Sequence, residues 1–184
     1  MKNRVITAIL YALSLNANAV DAQQTAVAPL VTIPTLDVPR YMGTWYELAK
    51  FENRFQKSCA GFTSATYSAL PDGKVQVANR CQGGAGEVIE AIGEARQVGN
   101  TSSPKLKVRF APAFLSFLPM VWGDYWVIDL DKDYQLAAVS EAKREFLWIL
   151  SRTKKVDQEK YNALIARLAA QGLDVAKLVL TKQE

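Results

Sequence analysis

One stretch constrains the fold more than any other, the run from Tyr41 to Phe51. After Gly43 it alternates as a β-strand does, and one face carries a bulky, an acidic, a small and an aromatic side chain: Trp45, Glu47, Ala49 and Phe51. An unpaired carboxylate buried in a dry core would cost several kcal/mol. The lining of a barrel with a partly wet cavity accepts Glu47 more easily, so this strand favours a barrel over a flat sheet.

Seven further segments have the character of short strands, and turns without an intervening helix join them. With the first strand at residues 44–51, the others are predicted at residues 62–70, 74–80, 87–96, 105–110, 123–130, 134–140 and 146–152. The turn at Pro71-Asp72-Gly73 has a clear mechanism, since proline presets φ and glycine accepts a positive φ. The sequence therefore predicts an all-β fold, an eight-stranded antiparallel up-and-down β-barrel.

After the last strand the apolar period changes from that of a strand to that of a helix. Asp157 is a good N-cap, Gly172 suits the end, and apolar residues recur at helical spacing between them. We expect an α-helix at residues 157–171 packed on the outside of the barrel, followed by a short strand at residues 178–180.

The residues before the barrel predict export. A basic start at residues 1–4, an apolar run at 5–15 and Ala17-Asn18-Ala19 are typical of a signal peptide at residues 1–19, with a buried N-terminal helix as the alternative. Residues 20–39 contain spaced prolines and predict an extended leader, either wrapped around the barrel or disordered. The barrel domain is expected at residues 40–184. With no cysteine near the cleavage site, we expect an exported, soluble periplasmic protein without a lipid anchor.

The absence of histidine limits the chemistry available to this chain. It removes the commonest general base, the commonest metal ligand, and every nucleophile paired with histidine. Two cysteines hold zinc only with help from carboxylates. We therefore expect no enzyme, no metal and no cofactor. The net charge of +4 indicates only mild attraction to anionic surfaces, and no basic stripe with interleaved aromatics points to nucleic acid.

Cys59 and Cys81 are expected to form a disulfide in an oxidising compartment, with two free thiols as the alternative. A simple register through the Pro71–Gly73 turn pairs Cys81 with Thr63 instead. A bulge, or the preceding loop folding back, must therefore bring Cys59 into reach.

Hairpin connectivity assigns the connections between strands to the two ends of the barrel. The first, third, fifth and seventh connections share one rim, and they are long, rich in glycine or apolar, so the open mouth is expected there. The apolar loop at residues 111–122 contains Phe114 and Phe117. It is predicted either to cover the mouth as a lid or to make transient contact with a membrane surface.

The opposite end has its own signature. Trp45 and Arg152 are 107 positions apart but become neighbours when the barrel closes, and a guanidinium on an indole face gains a cation–π contact. The sequence here resembles the lipocalin family, in Gly43-Thr44-Trp45-Tyr46-Glu47 and in the run from Leu147 to Arg152. The run Val127–Asp131 is close to a second family motif but departs from it at Leu130 and Lys132. The resemblance implies that Gly43, Trp45 and Arg152 seal the barrel floor.

Within that family the chain resembles the bacterial outer-membrane lipocalins of the Blc type and their apolipoprotein D relatives, over nearly the whole mature chain. It lacks the lipobox cysteine of the anchored bacterial members. The resemblance implies fatty acid or lysophospholipid ligands. We expect a monomer or a weak homodimer, with no nucleic-acid partner.

Alternation and loop position nominate one set of side chains for the ligand cavity: Glu47, Phe51, Phe55, Tyr67, Val77, Phe110, Tyr125, Val127 and Trp148. The alternative is that these side chains fill a closed core. The leading hypothesis is a carrier or scavenger of amphipathic lipids that serves envelope lipid storage or transport. Two alternatives stay open: a lipid-modifying enzyme that uses Glu47 or Glu141, and a carrier of another apolar ligand such as a tetrapyrrole.

Overall fold

A single antiparallel sheet closes on itself in this protein, for which a computed structural model describes residues 28–184. Its strands are β1 Gly43–Phe51, β2 Cys59–Ala69, β3 Val75–Gly83, β4 Val88–Gln97, β5 Lys105–Arg109, β6 Gly123–Leu130, β7 Leu136–Ser140, β8 Leu147–Ser151 and β9 Leu178–Leu180. Each of the first eight pairs with its neighbour in sequence, and β1 pairs with both β2 and β8. The predicted eight-stranded antiparallel barrel is confirmed, with β9 as an extra strand beside β1.

The predicted signal peptide at residues 1–19 and the start of the predicted leader lie outside the described residues. Within residues 28–184, no helix has the length and apolar character needed to cross a membrane.

The long helix α2, Gln158–Ala170, lies on the outer wall, as predicted. The side chain of Asp157 accepts hydrogen bonds from the backbone N–H groups of Glu159 and Lys160, which caps the helix start. Leu164 and Leu168 are fully buried against the outward faces of β1, β6, β7 and β8. Burying each leucine stabilises the fold by about 2 kcal/mol. The barrel therefore has a second apolar core outside its wall.

The described part of the leader lies against the barrel. The backbone N–H of Ile33 donates to the carbonyl of Val127 at 3.2 Å, and Leu30 and Leu36 are buried. The leader does not stay extended to residue 39 as predicted, because α1, Val38–Tyr41, forms one helical turn. The side chain of Asp37 caps this turn, and a proline in its first positions suits helix initiation.

A β-bulge in β1 overturns one prediction. Glu47 pairs with Leu150 and Ala49 pairs with Ile149, so Leu48 is an extra residue in the ladder. The extra residue reverses the side-chain alternation beyond it. Phe51, predicted to line the cavity, therefore points outward and packs in the outer core beside α2.

The disulfide between Cys59 and Cys81 is confirmed, with 5.6 Å between the two Cα atoms. The simple register holds from Ala69 back to Ser64, which pairs with Arg80. Two irregularities then shift the pairing, and Cys59 lies opposite Gly83. These bulges shift β2 relative to β3, which brings Cys59 within bonding distance of Cys81.

The C-terminal tail fills a gap in the barrel wall. β1 pairs with β2 only from Gly43 to Tyr46 and then pairs with β9. Beyond β9, the carbonyl of Lys182 accepts a hydrogen bond from the N–H of Phe62 at 2.6 Å. Nε2 of Gln183 donates to the carbonyls of Glu47 and Thr63, both at 2.7 Å. The tail thus bridges β1 and β2 where they no longer pair.

Candidate functional site

The floor of the barrel is sealed around Arg152. Its guanidinium carbon lies 4.0 Å from the centroid of the Trp45 ring. The guanidinium also donates to the carbonyls of Arg40, Met42 and Thr44 at 2.8–3.0 Å. Gly43 has a φ of +91°, and a Cβ there would lie 3.2 Å from Nη1 of Arg152. The two ends of the barrel sequence therefore meet at one cation–π contact.

The mouth of the barrel is the rim formed by the β1–β2, β3–β4, β5–β6 and β7–β8 connections. Among the inward-facing side chains, Trp45, Val127 and Val139 have no exposed surface. Tyr125 and Trp148 are only partly buried, although Trp148 lies opposite the fully buried Val139 in the ladder between β7 and β8. The interior is therefore mainly apolar, and its packing leaves these two aromatic side chains incompletely covered.

The structure brings most of the predicted lining residues together in the inner cluster. Tyr67, Val77 and Val127 are buried in it, and Tyr125 and Trp148 pack against it.

Two predicted lining residues, Phe110 and Phe55, lie at the edge of the interior. Phe110 is 43% exposed, and its ring lies so close to Gly93 that a Cβ on this glycine would be 2.6 Å from it. Phe55 is 64% exposed on the rim, with its ring centroid 5.5 Å from that of Phe146. Phe146 in turn stacks on Trp148 at 5.7 Å, so aromatic rings extend from the rim to the interior.

Glu47 is buried and fully engaged. Its Oε2 accepts a hydrogen bond from Gln56 at 2.6 Å, its Oε1 accepts one from Thr181 at 2.6 Å, and Nζ of Lys50 lies 3.2 Å away. Oε1 of Gln56 also accepts a hydrogen bond from the indole of Trp148 at 3.0 Å. This pairing offsets the cost of burying the carboxylate. Sequence reasoning missed Lys50, Gln56 and Thr181, and no sequence signal links Thr181 to a strand 134 positions earlier.

Glu141, the other carboxylate considered for catalysis, organises a turn. Its oxygens accept hydrogen bonds from the backbone N–H groups of Lys143 and Glu145, both at 2.5 Å, and of Phe146 at 3.4 Å. The β7–β8 connection therefore uses this side chain as a structural acceptor.

Three tyrosines form a hydroxyl cluster above the floor. The Tyr125 hydroxyl lies 2.9 Å from the hydroxyls of both Tyr41 and Tyr67. Burial raises the pKa of all three phenols, that of Tyr67 to about 12. The cluster therefore stays protonated, and since its two mutual hydrogen bonds use two of its three protons, one O–H donor is left over. Tyr41 was not among the predicted lining residues, although it lies two positions before Gly43 of the floor motif.

The raised pKa of Tyr67 predicts a loss of stability in alkali. An unfolded tyrosine ionises near pH 10 while folded Tyr67 stays protonated until about pH 12, so the free energy of unfolding falls as pH rises between these values. The loss from Tyr67 reaches about 2 kcal/mol at pH 12. Urea unfolding followed by circular dichroism from pH 9 to 11.5 measures it. Tyr67→Phe should make the free energy of unfolding depend less steeply on pH, whereas Tyr46→Phe on the outer face should not. Equal pH dependence in the native protein and both variants would contradict the prediction.

Within residues 28–184, no group of three or more histidine, cysteine, aspartate or glutamate residues is placed to hold a metal ion. Both cysteine sulfurs are bonded to each other and are not available as ligands.

An up-and-down barrel of eight strands, with a sealed floor, a mainly apolar interior and a helix on its outer wall, has the architecture of barrels that hold one small ligand. The family model described as a lipocalin-like domain matches residues 36–183. The chain therefore belongs to the lipocalin-like family.

Its relatives include temperature-induced lipocalin-1 of Arabidopsis thaliana, 44% identical over 151 residues that cover 80% of each chain. The outer membrane lipoprotein Blc of Escherichia coli is 35% identical over 155 residues, 84% of this chain and 83% of Blc. Apolipoprotein D of Macaca fascicularis is 29% identical over 96% of this chain and 94% of its own. The resemblance to Blc and apolipoprotein D is confirmed. Among solved structures, apocrustacyanin C1 matches with a TM-score of 0.63 at 14% identity over 80% of each chain, which supports the fold alone.

Proposed function

We propose that this protein binds amphipathic lipids, fatty acids or lysophospholipids, in the barrel interior and carries or scavenges them. The observation that carries the proposal is a mainly apolar barrel interior in which the inward-facing aromatic side chains Tyr125 and Trp148 stay only partly buried. Membership of the lipocalin-like family supports a hydrophobic ligand. The names of two relatives, outer membrane lipoprotein Blc and apolipoprotein D, support a lipid in particular.

The energy available from the acyl chain is sufficient for binding. Removing ~12 methylenes from water at ~0.8 kcal/mol each favours binding by ~10 kcal/mol, before the entropic cost of immobilising the chain is subtracted. The hydroxyl cluster and Glu47 with its partners interrupt the apolar wall. The interior therefore suits a ligand with one long apolar part and one polar part.

We place this activity in the periplasm, in a soluble form without a lipid anchor. The signal-peptide pattern at residues 1–19 and the disulfide support export to an oxidising compartment. The relatives named Blc are outer membrane lipoproteins, which supports a role in lipid storage or transport in the envelope.

The β5–β6 connection provides a surface for transient membrane contact. Phe114, Phe117 and Met120 are 74%, 76% and 85% exposed. Side chains this exposed do not pack as a lid across the mouth. Apolar groups at the rim favour a membrane surface as the place where ligand enters.

The proposal predicts that an inward tryptophan matters for binding and an outward one does not. Trp148→Ala should weaken fatty-acid binding about tenfold, because roughly 60 Å² of apolar contact with the acyl chain is lost. The matched control is Trp126→Ala, since Trp126 is also partly buried but packs in the outer core. Isothermal titration calorimetry with one fatty acid measures both variants.

Equal affinity losses in the two variants would show that the interior does not hold the ligand. Native mass spectrometry of the purified protein tests the ligand class independently. A co-purified acyl lipid supports the proposal. A coloured adduct would favour a tetrapyrrole carrier, and turnover of a lipid ester that is lost in Glu47→Gln would favour an enzyme.

A further inference from the structure

A cleft of about 530 Å³ lies beside the mouth, between the β1–β2 connection and the C-terminal strand with its tail. It opens where the tail replaces the pairing of β1 with β2. Its lining contains four basic side chains and one acidic one: Lys50, Arg54, Lys57, Lys182 and Glu52. Lys50 is paired with Glu47 on the interior side. The amide groups of Asn53 and Gln56 lie in the same wall, where Asn53 donates to the carbonyl of Phe51 and to Oε1 of Gln56, and Gln56 donates to Glu47.

Three of these basic side chains are available to a ligand. Across residues 28–184, Arg54, Lys57 and Lys182 have no carboxylate within 4.0 Å. Two of them lie near aromatic rings: the guanidinium carbon of Arg54 is 5.0 Å from the Phe55 centroid, and Nζ of Lys182 is 5.9 Å from that of Phe62. The cleft therefore holds an excess of positive charge, which favours an anion.

The cleft and the proposed cavity share a wall that contains two side chains. Gln56 and Thr181 line the cleft, and both also bind Glu47 in the interior. Gln56 further accepts the hydrogen bond from the indole of Trp148. Only one layer of side chains therefore separates an anion in the cleft from an acyl chain lying against Trp148.

We propose that this cleft binds the phosphate of a lysophospholipid headgroup while the acyl chain enters the barrel. The inference rests on the proposed lipid-binding function and adds the site at which the charged headgroup is held. Lysine and arginine side chains form charge-assisted hydrogen bonds to phosphate oxygens. The disulfide at Cys59, which also lines the cleft, holds the β1–β2 connection in place for this contact.

The test compares two lipids with the same acyl chain, one with a phosphate headgroup, 1-acyl-glycerol 3-phosphate, and one without charge, 1-acyl-glycerol. In the triple variant Arg54→Gln, Lys57→Gln and Lys182→Gln, the affinity for the phosphate lipid should fall at least tenfold, while that for the neutral lipid stays within twofold. The three positions are exposed, so the fold should be retained, and the melting temperature checks this.

The control variant removes the same charge far from the cleft, by Lys132→Gln, Lys154→Gln and Lys160→Gln, which are exposed at the floor and on α2. It should bind both lipids as the native protein does, at the same ionic strength. Equal losses for both lipids, or no loss, in the cleft variant would overturn the headgroup site and leave the lipid-binding proposal intact.

Binding of neither lipid by the native protein would instead overturn the proposed function. Titration with inorganic phosphate alone, followed by ³¹P NMR, then tests whether the cleft binds an anion. Phosphate binding that is lost in the cleft variant and kept in the control supports an anion site there. Absence of phosphate binding to the native protein would overturn it.

Discussion

Trp45→Ala should lower the free energy of unfolding by about 4 kcal/mol. Trp45 has no exposed surface, lies in the inner cluster and makes ring contact with Tyr41 at 4.9 Å. Its removal leaves a cavity at the floor and deprives the carbonyl of Tyr41 of its indole donor at 2.9 Å. Arg152 also loses the ring beneath its guanidinium. Because domains of this size are stable by about 5–15 kcal/mol, the variant should keep only part of its stability.

Urea unfolding followed by far-ultraviolet circular dichroism measures this loss without relying on tryptophan fluorescence. The matched control is Trp122→Ala, because Trp122 is half-buried in the β5–β6 connection, where the guanidinium carbon of Arg96 lies 4.4 Å from its ring. We expect a loss of about 1 kcal/mol there, typical of a surface cation–π contact. Similar losses at the two positions would show that the floor contributes no special stability.

Removal of the disulfide should lower the free energy of unfolding by about 3 kcal/mol. The bond spans 22 positions, and its main effect is to restrict the unfolded chain. The double variant Cys59→Ser, Cys81→Ser avoids leaving one free thiol. Its urea midpoint should match that of the native protein measured with a reductant.

The double variant serves as its own control for the reductant, since its midpoint should not respond to it. A native midpoint that is unchanged by complete reduction would contradict the prediction. Cys59 lies in the wall of the basic cleft. Compared with the native protein, the double variant should therefore lose more affinity for the phosphate lipid than for the neutral lipid.

The strands and their connectivity were accessible to sequence reasoning because their signals are local. Alternation, turn residues and strand order predicted the eight-stranded barrel. Helical apolar spacing predicted the outer helix, and a short apolar run predicted the extra strand at 178–180, and the structure has both. The same strand order placed Trp45 and Arg152 at one end of the barrel, and the guanidinium carbon of Arg152 lies 4.0 Å from the centroid of the Trp45 ring. The interior positions of Tyr67, Val77 and Val127 also followed from alternation.

The exceptions arise from interactions between distant segments. The bulge at Leu48 depends on how β1 packs against β8, and it sends Phe51 to the outer core against the predicted alternation. A similar shift in β6 between Val127 and Asp129 places Asp129 where Arg167 of α2 forms two hydrogen bonds to it, at 2.7 and 2.9 Å.

The sequence by itself determined a closed barrel, because a period of two and short turns leave antiparallel neighbours as the way to satisfy backbone hydrogen bonds. Only the tertiary structure decided which side chains reach the site. Glu47 accepts a hydrogen bond from Thr181 because the tail enters the wall where β1 and β2 separate. No local sequence pattern predicts a contact across 134 positions. Strand register and the position of the tail depend on packing throughout the barrel. The sequence of a single strand does not determine them.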